Sequence, residues 1–210
     1  MPVGGARRNA RKRPAGTRTL TRADRVAAIS RAARLIAELN DGQAKCIECV
    51  ALLERVAGLL HLKAAPVPVA VVVSGPVGGC ALGTAVDGLV RLGPDVEIVV
   101  SVDSRLWDGA GHLVLFAAQE QLLLDPSLDQ VSAATGFPRG AWVTQVTPDE
   151  LLDGDLGFET DGGCQWVYRV VRDDSGWRTA YNTQYARLGG LARDATRRAL
   201  ELEGFDENLR

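Results

Sequence analysis

Three residues stand out for the chemistry they could do together: Cys46, His112 and Asp125. Cys46 falls at the expected start of a helix, where the positive end of the helix dipole favours a thiolate over a thiol. His112 opens an expected strand. An imidazolium beside the sulfur would lower the thiol pKa further, and the same ring would carry protons in an acyl transfer. Asp125 ends the strand that should pair with that of His112, where a carboxylate can hold the second ring nitrogen and fix its tautomer. In a tight hairpin the two residues, thirteen positions apart, come within cross-strand reach.

The elements that must position these groups follow from hydrophobic period. After Thr21, which has capping-box spacing to Asp24, apolar residues Val26, Ile29, Ala33, Ile36 and Leu39 recur at steps of three and four. Asn40-Asp41-Gly42 stops that helix. A second helix is expected from about Lys45 to Leu60, with Glu48 and Glu54 solvated and both Cys46 and Cys49 in its first turn. From Pro66 the texture turns to β: Val67–Val73, then Val96–Val102, then a hairpin of Gly111–Phe116 and Gln121–Asp125 ending at Pro126, which cannot donate to a sheet. A further hairpin is expected from Gln165–Val171 and Trp177–Tyr181. A closing helix follows over about Thr183–Leu202, weak at Gly189-Gly190. Helices, then antiparallel strands, then a helix is α+β segregation, with the N-terminal helices packed on the sheet.

With the order and spacing in view, Cys46 to Val69 followed by His112 to Gln130 resembles the core of the transglutaminase-like superfamily, within the papain-like fold of Cys-His-Asp enzymes. In that family the nucleophilic Cys opens a helix that exits through a short loop into a strand, the position held here by Leu60-His61-Leu62-Lys63-Ala64-Ala65 and then Pro66–Val73. The family's His opens a strand and its Asp ends the next in an Asp-Pro-Ser/Thr context, matched by Gly111-His112 and Asp125-Pro126-Ser127. Gln130 resembles an Asp-x-x-x-x-Gln continuation in bacterial relatives. The resemblance covers about the middle half of the chain. Departures are the apolar run Leu113-Val114-Leu115-Phe116 after His112 and the lack of an aromatic residue close after Cys46. The resemblance implies a papain-like, transglutaminase-like α+β fold and a thiol hydrolase or acyltransferase that needs no cofactor. Protease, deamidase, transglutaminase and N-acyltransferase share this triad and differ in the cleft, and the substrate would be a protein, peptide or amine.

Other assignments compete. Gln43 lies six positions before Cys49, the interval between oxyanion-hole Gln and nucleophile in papain-type proteases, which would make Cys49 the nucleophile. The helix exit favours Cys46, with Gln43 still a candidate oxyanion donor. Gln130 and Trp107 are further substrate-contact candidates. Cys46-Ile47-Glu48-Cys49 has the form of a redox CxxC, but that motif follows a strand directly. A zinc site would need a second close ligand pair, and the sequence has none. Cys80 and Cys164 read as buried apolar thiols, and His61 as a polar helix C-terminus.

Composition sets the frame. The 210 residues are 46% apolar with net charge −2, the profile of a folded globular chain that can build one core. Residues 1–25 carry +7 and the remainder −9, so residues 1–19 are expected to form a disordered basic arm, able to touch an anionic partner, and 20–210 one domain. The longest apolar run is too short to span a membrane and the basic start lacks an apolar signal region, so a cytoplasmic protein is expected. The alternative to an enzyme is a non-catalytic binding protein on a papain-like scaffold, anchored by that arm.

Overall fold

The computed structural model describes residues 19–82, 98–100, 112–172 and 175–205. The first helix, α1 (Arg22–Asn40), begins as the capping box requires: the Thr21 hydroxyl accepts from the Asp24 N–H, and the Asp24 carboxylate accepts from the Thr21 N–H. It ends where Asp41 turns left-handed at φ 49° and Gly42 follows at φ 70°. A Cβ on Gly42 would stand 3.4 Å from the Asp129 carbonyl oxygen, so the turn into the next helix passes close to that segment.

The second helix, α2 (Cys46–Leu59), is buried at Cys46, Ile47, Cys49, Val50, Ala51, Leu52, Leu53, Val56 and Ala57. Burial on this many positions exceeds one helical face, and its neighbours account for it. α2 packs on α1, on α5 (Arg178–Arg187), on α6 (Gly189–Leu202) and on the strand β4 (His112–Ala117). Glu54, expected in solvent, instead accepts a hydrogen bond from the Tyr181 hydroxyl at 2.5 Å. The helix exit His61 takes φ 57° and its N–H bonds the Gly58 carbonyl, closing α2 before β1 (Ala65–Ser74).

β1 is the spine of the sheet. Val69 lies between His112 of β4 and Val170 of β8 (Gln165–Val170), while Val71 lies between Leu82 of β2 (Gly79–Leu82) and Tyr168 of β8. β4 and β2 therefore take successive halves of one edge of β1, and β8 takes the other. β4 continues to β5 (Leu122–Asp125) and β6 (Trp142–Gln145), and β8 to β7 (Asp155–Glu159), all antiparallel. The pair of β2 with β3 (Ile98–Val100) is parallel. Between β5 and β6 lie a 3₁₀ turn at Leu128–Val131 and α3 (Ser132–Thr135), and between β6 and β7 lies α4 (Pro148–Asp153). No helix among the described residues is long and apolar enough to cross a membrane.

The strand period splits the core in two. Leu113, Leu115, Leu122 and Leu124 meet the helices, whereas Val114, Phe116 and Leu123 meet Val69, Val71, Val73, Trp166 and Tyr168 on the other face. Each fully buried leucine contributes roughly 1.5–3 kcal/mol by leaving water. Trp142 and Phe137 meet Trp166 edge-on at 4.5 and 5.0 Å, making this second core the aromatic one.

The architecture is mixed α+β, with three corrections to the expected elements. β8 pairs with β7 and β1, not with Trp177–Tyr181, which instead leads into and forms the first turn of α5. Trp177 and Tyr181 are four residues apart and meet edge-on at 5.2 Å, a helical spacing that β-favouring aromatics obscured. The closing helix is two helices, parted at Leu188 just before the Gly189-Gly190 pair. β6, α4 and β7, in a stretch given no regular structure from sequence, complete the sheet.

Gly75, just past β1, has no room for a side chain: a Cβ would come 2.1 Å from the Thr135 carbonyl oxygen. Gly75→Ala should therefore lower stability by about 1–3 kcal/mol, as overpacking does. Urea denaturation checks this, and an unchanged midpoint would contradict it.

Candidate active site

The hairpin positions the imidazole and carboxylate through register. Leu115 pairs with Leu124, so continuing the ladder sets Asp125 opposite Val114 and His112 on the adjacent diagonal of the same face. The His112 Nε2 and Asp125 Oδ2 are 2.7 Å apart, and both side chains are fully buried. Pro126 has no N–H, so the chain turns the Ser127 N–H inward to donate to Asp125 Oδ1 at 3.0 Å.

Asp125 has a third donor. The Tyr168 hydroxyl, from β8 across the spine strand, donates to Oδ2 at 2.7 Å. A buried carboxylate is costly unless its lone pairs are met, and here three donors meet them. Tyr168 had no local sequence signal, because its reach to Asp125 depends on β8 lying beside β1. Burial pushes the Tyr168 hydroxyl pKa well up, and the Asp125 charge pushes it the same way, so it stays a proton donor.

Cys46 begins α2, as expected, near enough to the His112 ring for its thiol to push the His112 pKa up. No side chain among the described residues caps this helix start, which leaves first-turn amides without side-chain acceptors. Burial alone would lower the pKa of His112. The Asp125 charge, its hydrogen bond and the contact with Cys46 outweigh that and carry it up to about 10.

The neighbouring Cys49 differs. Burial pushes its thiol far up, and charges at Cys46, Glu48, Asp125 and Asp129 push it further. It lines a groove walled by Leu35, Leu39, Leu52 and Leu191 between α1, α2 and α6. All four cysteines are buried and outside any disulfide among the described residues. Among the described residues, no group of three or more His, Cys, Asp or Glu side chains is placed to hold a metal ion.

Of the other candidates, Gln130 is brought to His112, whereas Gln43 bonds its own turn. The Gln130 amide nitrogen lies 3.0 Å from His112 Nδ1. Gln43 is exposed in the turn before Cys46, where its carbonyl accepts from the Lys45 N–H and the Asn40 side-chain amide. Trp107 lies outside the described residues. Cys46 is 8% exposed against none for His112 and Asp125, so the described part of the site meets solvent at its sulfur end.

Compared with protein-family models, curated proteins and solved structures, the chain matches none. The geometry of the site therefore carries the functional argument alone.

Tyr168→Phe removes one donor from a buried carboxylate while keeping the ring in the aromatic core. It should cost roughly 1–3 kcal/mol of stability, measured by urea unfolding, with the melting transition still cooperative. No change would mean that Asp125 does not depend on this bond.

Proposed function

We propose that the protein is a cysteine-dependent acyl-transfer enzyme, with Cys46 as nucleophile, His112 as acid and base, and Asp125 as the group that orients the imidazole. The observation that carries this reading is one buried histidine held on Nε2 by a carboxylate with three donors, and raised in pKa by that carboxylate and by a helix-start thiol. This is the arrangement expected from the resemblance to transglutaminase-like, papain-like enzymes.

Each role follows from position. His112 Nδ1 takes the proton of the Cys46 thiol, and the sulfur adds to an amide or thioester carbonyl. The developing oxyanion is met by the Cys46 N–H at the uncapped helix start, with Gln43 as a second donor candidate. His112 then returns the proton to the leaving amine or thiol as the carbon–heteroatom bond breaks, leaving a thioester on Cys46. In the second half His112 removes a proton from the acceptor, which attacks the thioester and frees the sulfur. Water as acceptor makes a peptidase or deamidase, a lysine amine a transglutaminase, and another amine an N-acyltransferase. Asp125 stabilises the imidazolium formed in both halves.

Alkylation tests this directly. Iodoacetamide at pH 6 should label Cys46 well before Cys49, Cys80 or Cys164, because an ordinary thiol is almost wholly protonated there. His112→Ala should bring Cys46 down to the rate of the others. Equal labelling of all four cysteines in the unmodified protein would sink the enzyme reading, and selective labelling of Cys49 would move the nucleophile. Once a substrate is found by trapping an acyl-enzyme and weighing it, Cys46→Ala should abolish turnover. Asp125→Asn should reduce it by roughly 10²–10⁴, by analogy with a serine triad.

A further inference from the structure

The segment running from Asp125 to Gln130 holds both nitrogens of the same imidazole. Asp125 takes Nε2 at 2.7 Å from one end, and the Gln130 amide nitrogen takes Nδ1 at 3.0 Å from the other. Little slack remains in it, since the Gln130 N–H is tied to the Ser127 carbonyl and the Gly140 N–H to the Asp129 carboxylate. Nδ1 is also the nitrogen that Cys46 needs. A neutral ring offers a single lone pair there, and both the Gln130 amide and the Cys46 thiol are donors.

We propose that Gln130 is a positioning residue that holds the His112 base in reserve, competing with Cys46 for Nδ1 and yielding it when the thiol gives up its proton. This rests on the acyl-transfer reading for its purpose, though not for its geometry. An amide N–H on Nδ1 stabilises the neutral ring and so opposes the thiolate–imidazolium pair. Once Nδ1 carries a proton, the amide must turn end for end to offer its oxygen or swing away. Gln130 is partly exposed whereas His112 is not, so the side chain has room to do this at the solvent edge. The titratable groups that act on the ring are Cys46 on α2 and Asp125 on β5; Cys49 on α2, Asp129 in the 3₁₀ turn and Tyr168 on β8 feel Asp125 in turn, and Glu48 on α2 acts on Cys49. Among these, Asp125 pulls the proton onto the ring, and Gln130 sets how far that pull succeeds.

The test uses two readouts on the full chain. In Cys46→Ala protein with ¹⁵N-labelled histidine, where exposed His61 serves as an internal reference, the Nδ1 resonance of His112 should report, at a pH above its titration midpoint, an unprotonated, hydrogen-bonded nitrogen. Gln130→Met should move that resonance and raise the His112 titration midpoint by roughly half a unit to one unit, the worth of one lost donor. Gln130→Glu, which can only accept when ionised, should raise the midpoint further. A merely structural role would not give the order Glu above Met above Gln. In protein that keeps Cys46, both substitutions should speed its alkylation at pH 6, by roughly three- to tenfold for Met. An unmoved Nδ1 resonance and midpoint in both variants would overturn the proposal, whatever the alkylation shows. If the resonances behave as expected while Cys46 alkylates no faster than Cys80 or Cys164, the hold on His112 stands and the enzyme reading falls.

Discussion

The buried carboxylate of Asp125 is the constraint on which the site depends. A carboxylate with no exposure survives only if its oxygens are fully engaged, and Ser127, Tyr168 and His112 engage them. Each donor comes from a different piece of structure: the turn after β5, the far flank of β1, and the start of β4. The aromatic core exists partly to bring Tyr168 into range, because Trp142, Phe158 and Trp166 pack around the strands that carry Tyr168 and Asp125. Removing any one donor leaves a buried charge short of a partner, so fold and site stand or fall together.

The second requirement is that a helix start meet this pair. α2 is walled by α1, α5, α6 and β4, and the Tyr181–Glu54 bond ties α5 to its middle. Such enclosure fixes the direction in which its first turn points. The Asp41–Gly42 turn, held against the Asp129 backbone and the Arg139 side chain, sets where that turn begins. A thiol at this point sits at a helix start with no side-chain cap and acts on the His112 ring, whereas Cys49 lies one helical turn further on.

Much of this was legible in the sequence because the deciding interactions are local or periodic. The capping box at Thr21, the α2 start, the His112–Asp125 hairpin and the Asp-Pro-Ser turn each declare themselves within a few residues. The start of α2 at Cys46 was also legible, from the hydrophobic period that follows it. What could not be read depends on non-local pairing. Tyr168 is an ordinary strand aromatic until β8 is set beside β1, and Gln130 reads as a substrate contact until the 3₁₀ turn folds it back onto Nδ1. Trp177 and Tyr181 misled because bulky aromatics favour strands, whereas their four-residue spacing served a helix packed on α2.

The central claim is that Cys46 and His112 titrate as one coupled pair. Ultraviolet absorbance of the thiolate, followed against pH and corrected by the same titration of Cys46→Ser, reads this without a substrate. The account predicts a Cys46-dependent transition below the ~8.5 of a free thiol, which moves upward in His112→Ala. A transition at the free-thiol position in the unmodified protein, unchanged by loss of His112, would contradict it.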